Sequence, residues 1–269
     1  MSPKPKRDEI DTYLKFAVQL AHEAGRITLR YYRQGVAVDL KADESPVTIA
    51  DRDTEAFMRE RIMEQFPDHG IIGEEHGRHN PDARWQWILD PIDGTQSFIR
   101  GIPLYTVLLA LECSGESHLG VIHCPAQDET VAAATGKGCT YNGEPCRVRA
   151  TARLEEAWVN VTNVADLARR RPRFTEALLR RAQSVRTWAD AYSYLQVAAG
   201  RTDIAIDPVM NLWDIAPIKP IIQEAGGRFS DFNGNSSIHT TNALVSTGPL
   251  HDELLALARL DEGDAQDPG

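Results

Sequence analysis

The first pattern along the chain is helical. Between Asp8 and Tyr32, the residues Ile10, Leu14, Ala17, Ala21, Ala24 and Ile27 recur three or four apart and form one apolar stripe. Gly35 follows where a helix end is expected. Residues 36–40 alternate as a short strand does, and 41–46 read as a loop of polar turn residues closed by Pro46. A second helix is expected from Thr48 to just before Pro67, with Phe57, Ile62 and Phe66 on its apolar side. Residues 71–75 read as a strand ending in acid, and 76–84 as an exposed polar stretch. Residues 85–90 then form an apolar strand that stops at Asp90-Pro91-Ile92-Asp93-Gly94-Thr95.

Strand patterns at 105–112, 120–123 and 130–135 predict consecutive antiparallel strands, and Tyr141-Asn142-Gly143-Glu144 carries the Asn-Gly signal of a tight hairpin. Beyond about Thr151, strands are expected at 157–161, 203–206 and 244–246, and helices at 173–183, 192–199 and 213–224. Pro217 and Pro220 are expected to interrupt the last helix. Helices and strands mix without strict alternation and no repeat is visible. The pattern points to a layered α/β or α+β fold rather than a parallel doubly wound sheet. The division falls near residue 150, into parts 1–150 and 151–269.

Composition narrows the partners. A net charge of −10 argues against general binding to nucleic acid or anionic membrane, both of which need a basic face. It is compatible with a phosphate substrate, because bound cations invert the local field. The basic start is followed by no apolar run, so neither a signal peptide nor a membrane span is expected. Cys113, Cys124, Cys139 and Cys146 lack Cys-x-x-Cys or zinc spacing and read as reduced thiols of a cytoplasmic protein.

The chemistry concentrates in the turn after Asp90. Pro91 fixes its own φ, so Asp90 and Asp93 are held in a set relation with the Ile92 carbonyl between them. Oxygen donors of this kind suit magnesium, manganese or calcium. Gly94-Thr95 opens a short helical turn whose free N–H groups can meet a phosphate. Glu74 and Glu75, Asp51 and Asp214 are further acids at strand ends or helix starts. Each also has a plain account, as a surface charge or as an acid favoured by a helix start. Lys41 reads as a solvated loop residue. His69, His76 and His79 read as exposed, and the five tryptophans mostly as core, with Trp188 a possible pocket wall beside Asp190.

Three segments in order resemble the inositol monophosphatase superfamily: Ile72-Gly73-Glu74-Glu75, Trp87 through Phe98, and Trp213-Asp214-Ile215-Ala216 followed by Glu224-Ala225-Gly226-Gly227. The resemblance implies an α-β-α-β-α sandwich with mixed and antiparallel sheets, magnesium dependence (two or three ions per site, manganese possible) and a homodimer. It implies metal binding by Glu74, Asp90, the Ile92 carbonyl, Asp93 and Asp214. It also implies activation of water by Asp51 with Thr95, a further catalytic part for Glu74, and phosphate held by the Gly94 and Thr95 amides.

Within the superfamily the chain is most similar to the histidinol-phosphate phosphatase branch. The likeness rests on residues 95–103, on Ala189-Asp190-Ala191-Tyr192-Ser193-Tyr194 and on Asp207-Pro208. It implies that Asp190 and Asp207 bind the leaving group, whose ammonium and imidazole suit charge-assisted hydrogen bonds. The chain departs from the branch where Ala189, Ala191 and Ser193 stand for Gly, Cys and Gly. Inositol monophosphate, a nucleotide 3′-phosphate and a sugar phosphate are the alternative esters. A non-catalytic metal-binding scaffold is the alternative of a different class.

Overall fold

The structure is a computed structural model describing residues 7–41, 45–188 and 190–261. The first part contains α1 (Arg7–Tyr31), β1 (Val38–Leu40), β2 (Pro46–Thr48), α2 (Ile49–Gln65), β3 (Gly70–Gly73), β4 (Gly77–His79), β5 (Trp85–Asp93) and α3 (Thr95–Ile99). The run of strands follows: β6 (Thr106–Cys113), β7 (Glu116–Cys124), β8 (Glu129–Ala134), β9 (Gly138–Tyr141) and β10 (Glu144–Cys146). The second part contains β11 (Trp158–Val161), α4 (Val164–Arg170), α5 (Pro172–Arg181), β12 (Ser184–Arg186), α6 (Asp190–Ala198) and β13 (Ile204–Asp207). It ends with α7 (Leu212–Glu224), β14 (Gly227–Ser230), β15 (Ala243–Thr247) and α8 (His251–Ala258).

Strand alternation builds the layers. Ile71, Trp87, Leu89, Val107 and Leu109 point to one face of an eight-stranded sheet, ordered β10-β9-β8-β7-β6-β5-β3-β4, and meet Ala17, Leu20 and Ala24 of α1 with Met58 and Ile62 of α2. Their neighbours Ile72, Ile88 and Leu108 point the other way, into a core with Leu195 of α6 and Ile215, Ile218 and Ile222 of α7. Across those helices lies a five-stranded sheet, β12-β11-β13-β15-β14, contributing Ala205, Phe229 and Val245. Its far face carries Val159, Ile204 and Leu244 against Leu167, Phe174, Leu178 and Leu254 of α4, α5 and α8. The result is the expected α-β-α-β-α sandwich, and its middle core draws on both parts of the chain.

Several expectations are corrected. The fifth strand does not stop at Asp90. It runs to Asp93 through a bulge, Asp90 facing Leu108 and Asp93 facing Thr106, and the N–H that Pro91 lacks falls where the ladder is already interrupted. Pro46 belongs to a strand, paired with Leu40, while Lys41 and Ser45 lie outside the strands, as expected, and residues 42–44 lie outside the described residues. The polar stretch 76–84 is largely exposed, as expected, and includes the edge strand β4. The seventh helix runs unbroken through Pro217 and Pro220, because tertiary packing outweighs local propensity. Its inner side is fully buried, and β7 passes so close that a Cβ at Gly120 would lie 2.1 Å from the Pro217 carbonyl oxygen. His69 is not exposed. It stacks on Phe66 and accepts from Trp87 Nε1 at 3.2 Å. Trp158 is exposed rather than core, and Trp188 packs against it instead of walling the site.

Candidate active site

Two helix starts and one bulged strand end converge. Thr48 caps α2, and Asp51 three residues later closes a capping box, accepting from the Thr48 amide at 2.8 Å and its hydroxyl at 2.6 Å. At α7, Asn211 and Asp214 form the same box, the Asn211 amide donating to Asp214 Oδ2 at 2.7 Å. Between them the bulge turns Asp90 and Asp93 inward. Asp90 Oδ1 accepts from the Ile92 amide at 3.0 Å. Asp93 Oδ2 accepts from Thr106 Oγ1 at 2.9 Å and from the Ala191 amide at the start of α6 at 2.7 Å.

One carboxylate oxygen each from Asp90, Asp93 and Asp214 lies within 4.8 Å of the others. A cavity of about 260 Å³ opens over them, also lined by Ser45, Glu74, Ile92, Gly94, Thr95, Gln96, Asp190, Asn211 and Trp213. Burial pushes Asp90, Asp93 and Asp214 well above the ordinary carboxylate range, and their negative neighbours push them further. Packed acids with no hydrogen-bonded Lys or Arg among the described residues are the donor set a hard divalent cation requires, so these residues fit one.

Glu74 sits beside this group. Burial raises its carboxyl, and the Lys41 ammonium opposes that rise. Lys41, expected from the sequence to be a solvated loop residue, is instead part-buried and paired: its Nζ donates to Glu74 Oε1 and Glu75 Oε1, at 2.6 Å each. Asp51 is buried outside the cavity lining and meets it through Thr95, whose hydroxyl lies 3.4 Å from Asp51 Oδ1 and 3.0 Å from the Ile92 carbonyl oxygen. Burial pushes Asp51 up to about 6, against the lowering effect of its Thr48 hydrogen bonds.

Asp190 and Asp207 line an adjoining cavity of about 430 Å³ with Thr162, Asn163, Asp166, Pro208 and Met210. Asp190 holds a left-handed φ of 46° and aims its carboxylate at Gly94, where a Cβ would lie 2.7 Å from Oδ2. Burial, then the charges of Asp207 and Asp214, push Asp190 up to about 7, and burial pushes Asp207 to about 6. Asp166 is bound by Arg169 and Asn163, whereas no Lys or Arg pairs with Asp190 or Asp207 among the described residues.

Sequence reasoning missed Glu55. Fully buried on α2, it accepts from the Glu75 and His76 amides at 2.7 and 3.0 Å and thereby shapes the turn that presents Glu74. It approaches so closely that a Cβ at Gly73 would lie 2.0 Å from its Oε1. The spacing Asp51–Glu55, one helical turn, was the available signal.

The model of the inositol monophosphatase family matches residues 9–262. The chain belongs to that family. It is 42% identical over 237 residues to the histidinol-phosphatase of Chlorobaculum parvum, covering 87% of this chain and 91% of that protein. It is 36% identical over 258 residues to the histidinol-phosphatase of Mycobacterium tuberculosis, covering 93% and 98%. Among solved structures, an IMPase of Thermotoga maritima superposes with a TM-score of 0.85 at 32% identity, covering 93% and 97%. No helix among the described residues is long and apolar enough to cross a membrane.

Proposed function

We propose that the protein hydrolyses L-histidinol phosphate to L-histidinol and phosphate in a magnesium-dependent reaction. The observation that carries the substrate choice is the pair of buried carboxylates without basic partners among the described residues, Asp190 and Asp207, lining a cavity that adjoins the acidic cluster. The leaving group brings an ammonium and an imidazole, which satisfy such carboxylates by charge-assisted hydrogen bonds. The names of the two relatives agree with this choice.

Glu74, Asp90, Asp93, Asp214 and the Ile92 carbonyl hold magnesium, with manganese as a substitute. When bound, the ions neutralise phosphate charge and acidify water. The chain's own residues perform the rest. The Thr95 hydroxyl meets the attacking water and passes its proton on to Asp51, whose carboxyl burial raises to about 6. Glu74 supports the same water. The Gly94 and Thr95 amides at the start of α3 hold phosphate oxygens, so that attack and departure lie in line. Residues 1–150 supply most of the metal-binding groups, and residues 151–269 complete the site with Asp190, Asp207 and Asp214. The protein acts as a cytoplasmic homodimer on a small phosphomonoester, without nucleic acid or membrane.

Phosphate release with magnesium from histidinol phosphate, inositol monophosphate, adenosine 3′,5′-bisphosphate and fructose 1,6-bisphosphate tests the proposal. The expected kcat/KM for histidinol phosphate exceeds the others by at least about 10-fold, the worth of one charge-assisted hydrogen bond. An equal or inositol-favouring profile contradicts the substrate. That profile is the second reading, and the likeness to the Thermotoga maritima IMPase favours it.

A further inference from the structure

Far along the eight-stranded sheet from the acidic cluster, the edge hairpin β9–β10 places two thiols face to face. Cys139 and Cys146 are register partners, with sulfurs 3.5 Å apart and both free. Directly paired residues on antiparallel strands have Cα atoms about 4.5–5.5 Å apart, inside the range a disulfide spans. The hairpin is fixed independently of the sulfurs. Asn142 and Gly143 both adopt positive φ, 48° and 83°, as a two-residue turn of this hand demands. The Glu224 carboxylate holds the preceding turn through the amides of Gly136 and Gly138, at 2.8 and 2.7 Å. The Val148 amide, just after β10, donates to the Ala225 carbonyl at 3.0 Å. Oxidation therefore requires the sulfurs to close the last ångström or so without refolding the strands.

The two thiols are not equivalent. Cys139 is buried against the middle core, whereas Cys146 is half exposed. The contact between the sulfurs holds the Cys146 thiol below its ordinary range and the Cys139 thiol above it. Cys113 and Cys124 are each buried without a sulfur neighbour among the described residues.

We propose that Cys139 and Cys146 form a reversible oxidation site that closes to an intrachain disulfide in the presence of a low-molecular-weight disulfide. The Cys146 thiolate attacks one sulfur of the small disulfide and releases one thiol, leaving a mixed disulfide on Cys146. Cys139 attacks the Cys146 sulfur and expels the second small thiolate, which takes up the Cys139 proton and leaves as a thiol. Two protein thiols and one small disulfide become one protein disulfide and two small thiols. The bond ties the edge strand to its neighbour beside the C-terminal end of α7, the helix that presents Asp214 at its other end.

The full-length, magnesium-loaded protein is incubated with glutathione disulfide, alkylated under denaturing conditions and digested with trypsin. Cys139 and Cys146 lie in one peptide, residues 138–147, between Lys137 and Arg147. The expected result is loss of two hydrogens and of both alkylation sites in that peptide, reversed by dithiothreitol, while Cys113 and Cys124 alkylate in full. Cys139→Ser is expected to trap glutathione on Cys146. Full alkylation of residues 138–147 after incubation overturns the proposal, as does a Cys139→Ser variant that carries no glutathione on Cys146.

Discussion

The starts of α2 and α7 are built alike but meet different neighbours. Each is closed by a capping box whose third helical residue is an aspartate, Asp51 in one and Asp214 in the other. Both spend one oxygen on the helix start. The free oxygen of Asp51 faces the Thr95 hydroxyl, whereas a carboxylate oxygen of Asp214 joins Asp90 and Asp93 within 4.8 Å. In the proposed mechanism the same local device delivers a proton acceptor in one place and a cation ligand in the other. What separates the roles is the neighbour each carboxylate meets, not its position in its helix.

Asp214→Asn removes a charge from the group that fits the cation. Loss of several kcal/mol of transition-state stabilisation corresponds to a fall in kcat/KM of more than about 10³-fold, accompanied by loss of magnesium affinity in calorimetry. Asp51→Asn removes the proton acceptor and is expected to cost about 10²-fold or more in kcat, with magnesium affinity kept. Asp190→Asn addresses the adjoining cavity. It is expected to lower kcat/KM for histidinol phosphate by roughly 10–100-fold and that for inositol monophosphate by much less, and equal losses on both would remove Asp190 as a reader of positive charge.

The smallest effect is on stability. Asp51 and Asp207 stand at about 6 and Asp190 at about 7, all raised above their unfolded values by burial. Between about pH 4 and pH 7 the folded chain thus binds more protons than the unfolded one, and stability falls as pH rises through that window. The Tm of metal-free protein is expected to drop by at least a few degrees across it, because about 1 kcal/mol moves the Tm of a chain this size by roughly 2–4 °C. A Tm independent of pH in the metal-free protein contradicts the electrostatic description.

How much of this was legible in the sequence follows the range of the forces involved. The long amphipathic helix of residues 7–31 and the Asn142-Gly143 hairpin are local and read directly from periodicity and turn chemistry. Asp90-Pro91-Ile92-Asp93 stood out because a proline between acids is a poor strand, yet the bulge that tolerates it depends on pairing with β6. Short elements such as β4, β12 and β14 gain their order from neighbouring strands and carry no pattern of their own. The Lys41 contact and the part played by Glu55 were hidden for the same reason: both join residues at least 20 positions apart. Pro217 and Pro220 misled because local rules predict a break that burial overrules.

The most direct test of the central claim is magnesium binding by calorimetry to the Asp51→Asn variant, with phosphate release from histidinol phosphate measured on the same sample. The division of roles between the two helix starts predicts magnesium affinity equal to that of the unsubstituted protein and turnover lower by about 10²-fold or more. Loss of magnesium binding, or unchanged turnover, would contradict it.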